Sequence, residues 1–467
     1  MSLFTLPALD STLEKPPASL PPPATKAASA SAGLGVWGKR SALSLLDQGL
    51  TAGAGFGINI LLARWMPPLA YGAFTVAYTG YLFVSGFHNV LLLEPVTVMG
   101  PSRHSLSLPA YFRAQLSVHA LLVGALSLFV CSIGFLLSRL LPASPLAGPM
   151  IGGGLALPFL LLLWLARRMC YAADRPSLAV LGSGTYALFV FCGLTALGRF
   201  GHLTSLTAFL LMSMASCVAA GLLLWHLGLA NLSARENLGI PLLTVVRENW
   251  SYGRWLTVTT LLSWISVQAQ VLLAASLLGL TAAGVLRAMQ LPALAMSQVI
   301  AATMQIVLPS ISRELGRGDF HRLHYKVVFA SGFLAFVGCL FVLFLALFSR
   351  QAEHLFYAGR YKSFAWLIPV LALAPVFTGS ASSFSYALRA LGKSRYELLA
   401  YVLSAFTALA TSALFMPRWG VAGGATSVVC SAAVLAAAVY FSYCRWGAPA
   451  PIGLWPAPEG TRGTRES

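Results

Sequence analysis

Apolar residues fall into twelve blocks, each of roughly the 20 residues a helix needs to cross a hydrocarbon core. They lie at 41–64, 71–93, 114–138, 149–166, 179–198, 203–229, 255–279, 281–309, 327–348, 363–388, 398–416 and 421–444. The eighth block, TAAGVLRAMQLPALAMSQVIAATMQIVLP, carries Arg287 inside it. At a helical step of about 100° per residue, Arg287, Gln298 and Gln305 fall close to one line, with Gln290 beside it and Leu294 interrupting it. A cationic, amide-lined seam on an apolar helix suits the wall of a wet cavity that holds something anionic. The alternative is a snorkelling Arg287, with the glutamines bonded to neighbouring helices.

Three further blocks carry polar stripes. The first has Gln48, Ala52, Gly55 and Asn59 on one face, with Asp47 beside them; the second has Tyr78, Tyr81, Ser85 and Asn89, flanked by His88. The seventh has Thr259, Ser263, Ser266 and Gln270. Thr378, Ser382, Ser385 and Arg389 form a weaker stripe in the tenth, where the hydroxyls read as helix–helix glue. The loop 230–254 divides six blocks from six. LLARWMPPLAYGAF (61–74) and LLAASLLGLTAAGVL (272–286) match as LLA, a short connector, then A-x-G or A-A-G. A duplication with an even number of spans per half gives parallel repeats about an axis along the membrane normal. The striped blocks are then equivalent in pairs and line one cavity between the halves, although small-plus-polar faces also serve tight packing.

At 58% hydrophobic, 9% charged and a mean hydropathy of +0.78, the chain is an all-α polytopic membrane protein, because helices satisfy their own backbone where water is absent. Of its 30 basic residues, twenty-two flank one set of block ends, seven flank the other, and Arg287 lies within a block. That asymmetry places both termini in the cytoplasm. The net charge of +17 is then a topology signal with attraction to anionic lipid heads, and nucleic-acid binding is a poor reading of it. The expected organisation is a disordered Pro/Ala/Ser-rich tail (1–40), a six-helix lobe (41–230), a cytoplasmic linker with an interfacial helix (231–254), a second six-helix lobe (255–445) and a cytoplasmic tail (446–467). No cleavable signal peptide is read, because no apolar run precedes residue 41.

Catalytic chemistry is missing. Asp47 and Glu94 are the acids nearest the blocks, and no carboxylate pair, Ser/His/Asp set or phosphate loop can be assembled. Seven cysteines show no CxxC or CxxH spacing, so neither metal site nor disulfide is read. The chain is not expected to be an enzyme or to need a cofactor.

SLLDQGLTAGAGFGINILLARWMPPLAYGAF (44–74), LLLEPVTVMGP (91–101), ENWSYGRWLTVTTLLSW (248–264) and AAGVLRAMQLPA (282–293) resemble the polysaccharide-export, O-antigen-flippase branch of the multidrug/oligosaccharidyl-lipid/polysaccharide (MOP) superfamily. The resemblance runs over most of 40–445. It implies two six-helix bundles around a central lumen in the bacterial cytoplasmic membrane, moving lipid-linked saccharides outward by alternating access for cell-surface polysaccharide synthesis. The partners implied are a polyprenyl-diphosphate-linked saccharide, membrane lipids and polysaccharide-assembly proteins. Two alternatives from the same superfamily are a lipid II flippase and a multidrug cation antiporter. Lipid II flippases usually carry extra C-terminal spans, and drug exporters tend to use acids inside their spans.

On this reading Arg287 is the deep partner of the diphosphate, through bidentate guanidinium contacts. Arg40 and Arg254 form the inner mouth. Gln290, Gln298, Gln305, Gln270, Gln48, Asn59 and Asn89 meet sugar hydroxyls, and Tyr78 and Tyr81 stack on sugar rings. Energy comes from a proton or Na⁺ gradient or the membrane potential, with Asp47 as the ion-coupling candidate; otherwise Asp47 pairs with Arg40 or another inner-mouth base.

Overall fold

Twelve helices among the described residues are long and apolar enough to span a membrane: α1 (Ala42–Trp65), α2 (Pro68–Arg103), α3 (Ser105–Leu140), α4 (Ala147–Ala172), α5 (Pro176–Arg199), α6 (Ser205–His226), α7 (Leu242–Leu278), α8 (Leu280–Arg317), α9 (Phe320–Tyr357), α10 (Leu367–Ala390), α11 (Ser394–Trp419) and α12 (Val421–Gly447). The computed structural model describes residues 27–229 and 240–447, with side chains from residue 42 onward. Each predicted block has its helix. Bounds differ most where a block abuts charge: α4 runs on through Arg167 and Arg168, and α7 begins at Leu242.

Two boundaries change. The helix of α1 extends back to Ala27, inside the segment expected to be a disordered tail. That segment loses its prolines after Pro23, and AASASAG is rich in the best helix former. The interfacial helix expected over 242–250 is instead the opening of the continuous α7. No proline interrupts 242–278, and at Gly253 a Cβ would lie 3.0 Å from the Val90 carbonyl oxygen, so the helix passes α2 there only as glycine.

The packing repeats with a shift of six helices. In the first half α1 packs on α5, α3 on α4, α4 on α6 and α5 on α6; in the second half α7 packs on α11, α9 on α10, α10 on α12 and α11 on α12. Across the halves α2 lies against α7, α1 against α8, and α2 against α8. The first two of these contacts exchange under the shift, and the third maps onto itself. The internal two-fold axis therefore passes between α2 and α8.

At that axis the two repeat-matched glycines meet. A Cβ on Gly72 would lie 1.8 Å from the Leu280 carbonyl oxygen, and one on Gly284 would lie 3.0 Å from the Gly72 nitrogen and from the Pro68 oxygen. Only bare backbone permits this approach. The one-residue connector between α7 and α8 is Gly279 at φ 92°, ψ 167°, a region closed to side-chain-bearing residues. We call the end of the bundle holding these connectors the far end, and the opposite end, where most cations cluster, the basic end.

Candidate functional site

The far end is shut by contacts between the lobes. Arg64 Nη1 at the end of α1 donates to the Leu355 carbonyl at 2.8 Å, and Arg360 Nη1 returns the bond to the Met66 carbonyl at 2.7 Å. Each cation thus reaches a carbonyl at a helix C-terminus, where the backbone is electron-rich and short of partners. The buried Glu353 carboxylate accepts the Tyr361 N–H at 2.8 Å, which fixes the loop that presents Arg360.

Just below this seal α8 is enclosed on every side. Residues 282–289 are all buried, among them Arg287 at 8% exposure. A helix face set against lipid could not bury its whole circumference, so the snorkelling alternative fails. No carboxylate pairs with Arg287 among the described residues, and its Nε has no hydrogen-bond partner. The Tyr71 and Tyr78 hydroxyls on α2 lie within its electrostatic reach. On the neighbouring helices, the Tyr71 hydroxyl and Thr75 Oγ1 have only each other, and the side-chain oxygens of Asn59, Gln268 and Gln270 are buried without partners. So many unmet polar groups in one region mark a place that a polar ligand or water completes.

Two cavities occupy repeat-equivalent positions, one within each lobe. The first lobe's, about 60 Å³, lies among α1, α2, α4, α5 and α6 and is edged by Thr51, Tyr78, Trp164, Arg167 and Ser183. The second lobe's, about 210 Å³, lies among α7, α8, α10, α11 and α12 and is edged by Arg287, Gln290, Gln268, Ser266 and Thr378. The stripes therefore do not meet in one cavity in this conformation. The backbone contact at Gly72 and Gly284 pinches the axis and leaves a chamber on either side.

The chambers match in detail. Asn59 donates its amide to the Gly55 carbonyl at 2.8 Å, and its repeat counterpart Gln270 does the same to the Ser266 carbonyl at 2.8 Å, adding a bond to Ser431. Each leaves its amide oxygen unpaired. Charge is where they differ. Arg287 corresponds to Thr75, while the first lobe's cation, Arg167, is neutralised.

That neutralisation involves Asp47, which is fully buried. Arg167 binds it bidentately, Nη2 to Oδ2 at 2.7 Å and Nε to Oδ1 at 3.3 Å; the Tyr171 hydroxyl donates to Oδ2 at 2.6 Å, and the Ser183 hydroxyl donates to Oδ1. Asp47 is thus paired with a base, namely Arg167 on α4. The Arg40 side chain lies outside the described residues. Arg167 follows directly on the block 149–166, at 18 residues among the shortest of the twelve, and the helix that carries it runs on through LARR to Ala172.

The other nominated residues divide. Gln290 is half-buried in the second chamber. Gln298 is exposed further along α8, and Gln305 Nε2 donates to Gln48 Oε1 at 2.9 Å, a bond between lobes toward the basic end. Tyr78 and Tyr81 do edge the first chamber, yet their rings are taken. Tyr78 stacks on Phe74 at 5.6 Å and lies 5.4 Å from Tyr81, whose hydroxyl accepts from Trp164 Nε1 at 3.1 Å. Asn89 sits in a π-helical turn and donates to Glu94 at 3.1 Å. Arg254 is exposed, its guanidinium 5.9 Å from the Trp255 ring. In the tenth span Ser385 and Arg389 both bind Glu397 of α11, a helix–helix contact, whereas Thr378 and Ser382 bond carbonyls of their own helix and Thr378 edges the second chamber.

No family model matches the sequence, and no curated protein does. Solved structures do match. The inward closed conformation of the lipid II flippase MurJ superposes with a TM-score of 0.67 at 12% identity, over 86% of this chain and 87% of that one. An inward-facing multidrug-resistance MATE transporter gives 0.68 at 14% identity, over 85% and 94%. The fold is that of the MOP-superfamily transporters. A third such structure, a MOP transporter from Pyrococcus furiosus described by the reverse polarity of its binding pocket, gives 0.62 at 12% identity, over 87% and 94%.

Proposed function

We propose that this protein is a flippase that carries a lipid-linked saccharide, held by its diphosphate, across the cytoplasmic membrane by alternating access. The observation that carries the reading is Arg287: a guanidinium buried beside the axis, without an acid, among unmatched polar groups. Leaving a buried charge uncompensated costs several kcal/mol, on the order of 3–5 when one partner of a pair is missing. A site that bears this permanently is matched to an anion that arrives and leaves. A diphosphate fits the bidentate geometry of guanidinium, and the tyrosine hydroxyls and amides beside it suit phosphate and sugar oxygens.

The second chamber, at about 210 Å³, is smaller than the roughly 300–1,000 Å³ of ordinary ligand sites. It can seat a phosphate group, while an oligosaccharide requires the lobes to part. Cation export finds less support. Of the four buried carboxylates among the described residues, Asp47, Glu314 and Glu397 are in ion pairs and Glu353 is engaged by the Tyr361 N–H. The P. furiosus transporter, with its reversed pocket polarity, shows that one fold accommodates pockets of either sign. The cation asymmetry of the loops supports the basic end as the cytoplasmic face.

The test replaces Arg287 by Ala and by Lys in cells that depend on this copy, and follows surface polysaccharide alongside membrane abundance. Ala is expected to abolish export at parental abundance, and Lys to retain part of it. Parental export by the Ala variant would remove the anion role.

A further inference from the structure

Away from both chambers, His88 on α2 and His119 on α3 form a buried pair, 3% and 4% exposed, with His88 Nε2 and His119 Nδ1 3.0 Å apart. The proton positions follow from a third partner. His119 Nε2 lies 3.2 Å from the carbonyl oxygen of Pro158, which can only accept. Nε2 therefore carries the hydrogen and Nδ1 accepts, so His88 Nε2 must donate to it. The sequence of forced choices ends on His88 Nδ1, a basic lone pair that is buried and has no partner.

The pair lies behind the seam where α2 and α3 meet α7. One turn along α3 from His119, Gln115 exchanges two amide hydrogen bonds with Asn249 of the other lobe, each 3.0 Å. Immediately after His88 comes the π-helical turn Asn89–Leu93, whose Val90 and Leu91 press on Gly253 of α7. π-turns of this kind recur at functional sites. An unpartnered lone pair thus sits between such a turn and an interlobe clasp.

We propose that the His88–His119 pair binds the transport proton at His88 Nδ1, and that the resulting imidazolium releases α2 and α3 from α7 and parts that seam. The inference rests on the alternating-access reading above. One proton adds to a lone pair and no other bond changes. Among the described residues the charge it creates has no acid facing it: the titratable group acting on His88 is His119, and His119 otherwise faces the Pro158 carbonyl on α4. A buried, unpaired charge is costly, so the protonated pair favours the arrangement in which water reaches it. The remaining charged groups of the seam lie toward the basic end. They include Arg113 on α3, whose Nε is buried without a partner, and Glu94, held by Asn89 near Tyr252 and within reach of Arg168 and Arg389. His104 Nε2 contacts Glu248 Oε2 of α7 at 3.1 Å.

The experiment uses the full-length protein in vesicles, with native cysteines replaced and spin labels at Leu106 and Leu243, exposed positions on either side of the seam. With His104→Gln as background, so that the pair supplies the seam's only imidazoles, the separation is measured from about pH 8 down to about pH 4, beyond the range in which an ordinary histidine changes charge. The separation should grow on acidification. Adding His88→Gln or His119→Gln should hold it at its alkaline value. Should either variant fold poorly, ¹⁵N shifts of the parental imidazoles report directly whether His88 Nδ1 takes the proton. A separation that ignores pH, a His88→Gln variant that still opens, or an Nδ1 that stays unprotonated would each overturn the proposal. No saccharide is needed for this readout. Arg287-dependent export with a pH-silent seam would sink the proton site alone, and a proton-opened seam with parental export by Arg287→Ala would sink the substrate reading alone.

Discussion

Replacing Gly72 by Ala adds one methyl group at the place where the two lobes meet backbone to backbone. Its carbon would lie 1.8 Å from the Leu280 carbonyl oxygen and 2.5 Å from the Leu280 carbonyl carbon. Non-bonded carbon and oxygen need on the order of 3.3 Å even in the weakest hydrogen-bond-like contacts, so the helices must part by more than 1 Å. Neither side can yield alone. Both obstructing atoms are main chain, and the other contact, Gly284 against the Gly72 nitrogen, is equally rigid. Overpacking of this kind costs about 1–3 kcal/mol. The whole of it falls on the closed far end, because a parted α2–α8 contact has room for the methyl. A bias of that size moves a two-state equilibrium roughly 5- to 150-fold.

The assay is a distance distribution between labels at Trp65 and Leu355, exposed residues on opposite sides of the far-end seal. The parent should give mostly the short separation and Gly72→Ala mostly the long one. Gly80→Ala on the same helix is the control, since nothing lies within 4 Å of its added carbon. It should leave the distribution unchanged and, by removing a glycine from a helix, slightly raise thermal stability. A Gly72→Ala protein that folds and retains the parental distribution would refute the view that this glycine contact is what closes the far end.

Two further predictions follow from the same contacts. Removing one Arg–carbonyl bond of the seal, by Arg64→Ala or Arg360→Ala, should shift the same distribution toward the long separation by a few-fold each; an unchanged distribution in both would show the bonds to be incidental. Asp47→Asn strands Arg167 in the first lobe and should destabilise the protein by about 3–5 kcal/mol, read as a lowered unfolding temperature, whereas Asp47→Leu combined with Arg167→Leu should recover most of it. Full stability of Asp47→Asn with lost gradient dependence would instead make Asp47 an ion site.

How much of this was legible in the chain depends on what kind of information each feature needs. The twelve spans were legible because hydrocarbon thickness fixes a length that apolar runs either meet or miss. Arg287 and its line of glutamines were legible because helical periodicity is local. Where the line passes from enclosure into the open between Arg287 and Gln298 was not, since that depends on which helices surround each turn. Asp47 stood out as an acid in a span. Arg167 did not, because a cation at the end of an apolar run looks the same whether it meets water or a carboxylate across the bundle. The same holds for His88 and His119, whose meeting needs α2 and α3 in register. The glycines were an intermediate case. On a two-fold axis a residue meets its own repeat counterpart, so the short match of A-x-G with A-A-G already contained the far-end contact once the repeats were taken to be parallel. The same symmetry isolates the functional residue. Asn59 and Gln270 are copies of one another down to the carbonyl each one binds, and the first lobe's cation is cancelled by Asp47. Within the two matched chambers that leaves one uncompensated charge, on Arg287.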